Sequence, residues 1–162
     1  MNVKNKPPLR LVIIFVIYIC FMIWLLFFFH RSPYFSEQSY FDTIKGSINL
    51  KPFSTMNRYL NALKNGRLID IALINLLGNI LIFIPLGILL PTLWKQLDTF
   101  LNCTVSCFGL ILMVEITQLF TTRGSCDIDD LILNLIGCMI GYAIHAGASK
   151  TSPSGEKLSA EG

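Results

Sequence analysis

The stretch Arg123–Gly141, RGSCDIDDLILNLIGCMIG, decides how this chain folds. It opens on an arginine and the aspartates Asp127, Asp129 and Asp130, then turns apolar while still holding Asn134, Gly137 and Gly141. A charged side chain facing lipid deep in a bilayer costs about 2–3 kcal/mol, so such groups turn toward protein or water. Asp130, Asn134, Gly137 and Gly141 are spaced to share one helical face, running from a charged mouth to a groove of small residues. This is the inward face of a membrane helix.

Three more apolar runs accompany it. A hydrocarbon core about 30 Å thick takes roughly 20 residues of helix. Spans are therefore expected at residues 9–29, 68–90, 100–120 and 128–146, with Pro91 ending the second and a short polar turn, Trp94–Asp98, before the third. Leu9–Phe29 is too long for a signal-peptide core, and the following His30-Arg31-Ser32-Pro33 is no cleavage site, so it reads as an anchor that stays. Pro85 frees the carbonyl of Leu81, so a kink is expected there, and Gly78 and Gly87 offer close approach to a neighbouring helix. The sequence is 53% hydrophobic and 14% charged, with a mean hydropathy of +0.60, which excludes a soluble domain of 162 residues. The net charge of +3 is dispersed and forms no basic stripe, which excludes nucleic acid as a partner; membrane lipids remain. Of the five cysteines, only Cys126 lies outside the apolar runs, and no CxxC occurs, so they read as small buried hydrophobes.

The fold class is thus an all-α integral membrane bundle of about four transmembrane helices. Residues 1–8 form a short leading segment, 9–148 the transmembrane domain, and 149–162 a polar tail expected to be disordered. In the long connection after the first span, Ser54 is a candidate cap for a short helix. Met56, Tyr59, Leu60 and Leu63 would line one side of it, with Gly66 as its stop. That pattern suits a helix lying in the headgroup region, and equally a plain surface helix.

Antiparallel threading brings the end of the first span, the start of the second, the end of the third and the start of the fourth to one membrane face. Asn75 and Asn79 begin the second span, Glu115 and Gln118 close the third, and Asp127, Asp130 and Asn134 open the fourth. Each set keeps to one side of its helix, so the polar groups converge whichever face is outside. Simpler roles stand beside a functional one. Buried asparagines join helices, Asp127 at a helix start caps it, and Glu115, about a turn and a half inside, calls for an ion pair with Arg123 or a titrating role.

With these residues in hand, the chain resembles the VanZ-like family of membrane proteins. The resemblance covers roughly residues 45–145. It rests on Asn49-Leu50-Lys51-Pro52-Phe53, Asn75-Leu76-Leu77-Gly78-Asn79 leading to Phe83-Ile84-Pro85-Leu86-Gly87 and Pro91, Glu115-Ile116-Thr117-Gln118, and Arg123 followed by Asp127, Asp129, Asp130, Asn134, Gly137 and Gly141. It implies a multi-pass protein of the bacterial cell membrane, in a family whose namesake is associated with low-level resistance to teicoplanin-type glycopeptides. The family carries no agreed reaction or catalytic residue set.

Two functions follow as expectations. The first is a non-catalytic envelope protein with a polar cleft at the extracytoplasmic face, binding a lipid, a glycopeptide or a lipid-linked precursor through Arg123, Gln118, Asn75, Asn79 and Asn134. The second is a membrane-embedded enzyme acting on a lipid-linked phosphate or glycan. Its candidate catalytic residues are Glu115, Asp127, Asp129 and Asp130, as paired carboxylates or as oxygen ligands of a divalent cation, with Arg123 holding phosphate. No cofactor is required by the sequence, and no nucleophile motif, HExxH or phosphate loop occurs. A transporter would need several copies, since no internal repeat is visible.

Basic residues number six on the side of the termini and seven on the side of the long connection. Lys4, Lys6 and Arg10 ahead of the first span decide the orientation, with both termini in the cytoplasm. An impermeant maleimide should then label the substituted cysteine of Asp42→Cys in intact cells; labelling only after permeabilisation would invert the assignment.

Overall fold

A computed structural model of the chain describes residues 7–28, 39–66 and 69–150, and of residues 69–72 the backbone alone. Helix α1 spans Leu9–Phe27, α2 Tyr40–Gly46, α3 Ser54–Lys64, α4 Ile69–Leu93, α5 Phe100–Phe120 and α6 Ile128–Lys150. Four of them, α1, α4, α5 and α6, are long and apolar enough to cross a membrane. Their outer faces are rich in exposed Ile, Leu, Val and Phe, as lipid-facing surfaces are. The chain is a membrane protein with an all-α bundle, as its apolar runs require.

The boundaries differ from the sequence expectation where proline was taken as a stop. Helix α4 passes through both Pro85 and Pro91 and ends at Leu93, so Pro91 lies inside the helix. A proline removes one N–H and one ladder bond, and a helix held by packed neighbours continues through that loss. Leu90, Pro91 and Leu93 are buried, and the Leu90 carbonyl still accepts from the N–H of Trp94. The polar turn is a single tight turn, Lys95–Leu97. Helix α6 runs to Lys150, four residues past the expected end of the span, and of the expected disordered tail residues 151–162 lie outside the described residues. His30 and the start of the long connection lie outside them as well.

The tightest packing joins α4 to α6, and glycine permits it. A methyl group built on Gly137 would run into the carbonyl oxygen of Ile80, one on Gly141 into that of Ile84, and one on Gly87 into that of Cys138. These positions need hydrogen as the side chain because the two backbones touch there. Of the stripe Asp130, Asn134, Gly137 and Gly141, the last three are buried and Asp130 at its mouth is half-buried. Gly78 departs from expectation: nothing lies within 4 Å of where its Cβ would be, so it makes no helix contact of this kind. Beneath the glycine seam, Phe83, Leu86, Leu90, Cys103, Cys107, Ile111 and Cys138 form the apolar core, joined by Met22 of α1. Tyr18 ties α1 to α4 by donating its hydroxyl to the carbonyl of Ile82 at 2.8 Å.

The two ends of the bundle are closed differently. At the end away from the long connection, the imidazole of His145 on α6 sits between Asp98 Oδ1 at 2.9 Å and Thr92 Oγ1 at 3.0 Å, clasping the α4–α5 turn. At the other end, residues 39–66 fold back over the bundle. Two residues there, Ile48–Asn49 (β1), pair in parallel with Cys126–Asp127 (β2), in the register Ile48 with Cys126 and Asn49 with Asp127.

Gly137→Ala should lower the melting temperature in detergent and reduce accumulation, because overpacking of a rigid contact costs about 1–3 kcal/mol. Gly78→Ala should leave both unchanged or slightly improved, since alanine is the better helix former by about 1 kcal/mol and meets no neighbour.

Candidate functional site

Polar residues of α3, α4, α5 and α6 gather at one end of the bundle, and the first of them organise backbone. Asp129 at the start of α6 is fully buried. Its carboxylate accepts the N–H of Phe53 at 2.5 Å and those of Thr55 at 2.8 Å and Met56 at 3.1 Å. These are the open N–H groups at the start of α3, a helix end that would otherwise leave donors unsatisfied. An aspartate more than seventy residues away in sequence therefore caps α3 and also suits its dipole. Ser54 is not the cap; it is the first residue of the helix, and its hydroxyl donates to the Lys51 carbonyl at 2.9 Å. The residue ahead, Phe53, has φ 63°, a left-handed conformation disfavoured for a bulky side chain and held here by the bond to Asp129. Helix α3 ends at Lys64, with Asn65 as its C-cap and Gly66, the expected stop, at φ 65°.

Asp127 does two things at once. Its Oδ1 accepts the N–H of Asp129 at 2.9 Å, capping α6 as its position suggested. Its Oδ2 accepts the Thr55 hydroxyl at 2.6 Å and the Asn49 side-chain amide at 3.1 Å. Asn49 also donates to Thr55 Oγ1 at 3.0 Å and Ser54 Oγ at 2.8 Å. The β1–β2 pairing, the α3 start and the α6 start are thus knotted through two carboxylates. Asn49 and Thr55 are the members of this network that reading the candidate acids alone passes over. The Asn-Leu-Lys-Pro-Phe run was the available signal.

Deeper in, Asp130 Oδ1 accepts from the Asn79 amide at 2.6 Å, joining α6 to α4. Glu115, 2% exposed, lies with its Oε1 3.5 Å from the Asn134 amide nitrogen, joining α5 to α6. Gln118 donates to the carbonyl of Leu26 at 3.0 Å, joining α5 to the end of α1. Arg123, whose N–H donates to the Gln118 carbonyl at 3.0 Å, holds its guanidinium carbon 5.7 Å from the centre of the Phe28 ring. Burial, followed by the charges of Glu115 and Asp127, pushes the Cys126 thiol above its ordinary range. Among the described residues, no three of His, Cys, Asp and Glu gather with the spacing of a metal site.

Beside this layer, α1 and α4 leave a groove of about 970 Å³ that is mainly apolar. Its walls include Ile17, Tyr18, Leu25 and Pro85, and Asn75 and Asn79 lie at the end nearest the polar layer. The bond from Asn79 to Asp130 connects groove and layer directly. The arrangement is a filled, hydrogen-bonded polar plate with a lipid-accessible groove at its edge.

A family model described as VanZ/LLP1 matches residues 15–148. The chain belongs to the VanZ/LLP1 family. It is also 28% identical over 134 residues to Protein VanZ of Enterococcus faecium, covering 83% of this chain and 72% of that one. No solved structure matches. The family match takes in every residue of the polar plate, from Asn49 to Asn134.

Asp129→Asn should destabilise the protein more than Asp130→Asn does. The first replaces a charged acceptor of three backbone donors, each charge-assisted bond contributing about 1.5–3 kcal/mol, while the second keeps an acceptor oxygen for the Asn79 amide. Melting of the purified variants checks the order. Cys126 should alkylate more slowly than an exposed loop thiol at pH 8, its rate rising further into the alkaline range, because a raised pKa leaves less thiolate.

Proposed function

We propose that this protein is a multi-pass component of the bacterial cell membrane that lowers susceptibility to teicoplanin-type glycopeptides without catalysing a reaction. Its working part is a polar cleft at the extracytoplasmic face, the end of the α1–α4 groove lined by Asn75 and Asn79, where Asn79 holds Asp130. One observation carries the non-catalytic reading. Two of the four candidate acids, Asp127 and Asp129, have their oxygens on structural donors. Asp129 holds the start of α3, and Asp127 holds Thr55, Asn49 and the start of α6. A general acid or base needs a lone pair or proton aimed at substrate, and these are aimed at backbone and neighbouring side chains. The groove supports binding in its place, since a long apolar wall ending in amides and one carboxylate fits an amphiphile. Family membership supports the glycopeptide context.

Asp130 is where charge and cleft meet, so its replacement tests the reading. Asp130→Asn keeps the size and an acceptor for Asn79 but removes the charge. Deleting the gene should raise glycopeptide susceptibility, wild-type protein should restore the original level, and Asp130→Asn should fail to restore it at normal membrane abundance by immunoblot. A fully active Asp130→Asn protein would return this residue to a helix-joining role. A specific envelope precursor accumulating in the deletion strain would defeat the non-catalytic reading itself.

A further inference from the structure

A second groove, of about 580 Å³, lies on the other side of α1, between α1, α4 and α5. Met22, Phe83 and Leu86 are buried in its floor, Thr117 and Thr121 edge it, and Arg123 is its one charged lining residue among those described. Its depth is set by register. Phe83 is the middle residue of the Leu73–Leu93 span and Leu110, also in the wall, is the middle residue of Phe100–Phe120, whereas Arg123 follows the end of α5. The groove therefore reaches from the membrane surface to the bilayer centre, one leaflet deep. Ten or so residues of helix at 1.5 Å each cover about 15 Å, half the hydrocarbon thickness.

We infer that this groove binds an anionic phospholipid of that leaflet, one acyl chain lying against Met22, Phe83 and Leu86 and the headgroup phosphate meeting Arg123. The apolar wall has the length of one acyl chain. The guanidinium stands at its surface end, and a planar guanidinium fork matches phosphate oxygens. The Thr117 and Thr121 hydroxyls already donate to the carbonyls of Met113 and Thr117 at 2.7 Å each, so headgroup recognition falls to the cation. The surrounding face favours an anion. Lys45, Lys51, Arg58 and Lys64 are exposed on it against one exposed acid, Asp42, with Asp130 half-buried and Asp127 and Asp129 buried under their hydrogen bonds. Attraction of basic residues to an anionic membrane surface adds to the contact. The α1–α4 groove ends in the amides of Asn75 and Asn79 beside the Asp130 carboxylate and offers an anionic headgroup no cation among its lining residues. The inference does not depend on the susceptibility reading, which concerns that other groove.

The test is native mass spectrometry of the full-length protein released from detergent, titrated with phosphatidylglycerol or phosphatidylcholine of identical chains, and with glycerophosphate. Phosphatidylglycerol should bind about tenfold more tightly than phosphatidylcholine, glycerophosphate should not compete, and Arg123→Gln should erase the preference while Arg123→Lys retains part of it. Equal binding of the two lipids overturns the inference, as does a preference that survives in Arg123→Gln or full competition by glycerophosphate. Should Arg123→Gln fail to fold, phosphatidylglycerol carrying a diazirine in its acyl chain decides on the wild-type protein. Crosslinks to α1 and α5 residues of this groove support it, and crosslinks confined to other surfaces overturn it.

Discussion

Buried carboxylates at the mouth of a membrane helix must be hydrogen-bonded, and most of this structure follows from how that demand is met. Removing an ionised carboxylate from water carries a desolvation penalty of several kcal/mol, which only closely placed donors offset. Asp129 takes its donors from the unsatisfied N–H groups at the start of α3, and those N–H groups need an acceptor just as much. Two deficits cancel in one contact. The partner is backbone, so the contact fixes the position of a segment as well as a side chain. It draws the long connection down onto the bundle, seats Thr55 and Asn49 against Asp127, and lines up β1 with β2.

The glycine seam completes the frame from the opposite direction. Where the polar plate brings elements together by demand for donors, Gly87, Gly137 and Gly141 bring α4 and α6 together by removing side chains. Lipid supplies no hydrophobic drive between helices, so close backbone approach and interhelical hydrogen bonds are what hold them. The two devices are continuous along α6. Asp130 and Asn134 reach α4 and α5 through amide contacts, and the next turns of the same face are the glycines. Cutting into the first turn of α6 therefore disturbs the connection and the bundle together.

This division explains what the sequence could tell. The spans were legible because hydropathy over about 20 residues is a sum over many side chains, insensitive to any one of them. The convergence of Asn79, Glu115, Gln118, Asp127, Asp130 and Asn134 was legible because helical spacing and antiparallel threading fix it without any knowledge of packing. Asp127 as a cap was legible too, since its donor lies two residues away. What was hidden depends on long-range pairing. The cap of α3 sits on another helix, so local rules chose Ser54, the residue with a capping side chain nearest at hand. A two-residue parallel pairing has no alternation to reveal it. Pro91 and Gly78 were read by type, and in both cases neighbours decide: buried packing carries α4 past the proline, and empty space leaves the glycine without a contact role. The acids were legible as a cluster but not in their duties, because a carboxylate that binds substrate and one that binds backbone look alike in a sequence.

Burial and hydrogen bonding across most of this plate limit where a ligand could reach it. Glu115, Gln118, Asp127, Asp129 and Asn134 are all buried, and opening the plate would break several charge-assisted bonds at once. The open space lies at the edges, where α1 stands apart from its neighbours. Met22 is the one residue of α1 counted as buried among those described. Helix α1 leaves a groove on each side, one ending in the amides of Asn75 and Asn79 and the other in the guanidinium of Arg123. Both ends are anchored to the plate, through Asn79 to Asp130 and through the Arg123 backbone to Gln118, which in turn holds the end of α1 at Leu26. Both grooves therefore border the same hydrogen-bonded layer, at the helix that is least buried in the bundle.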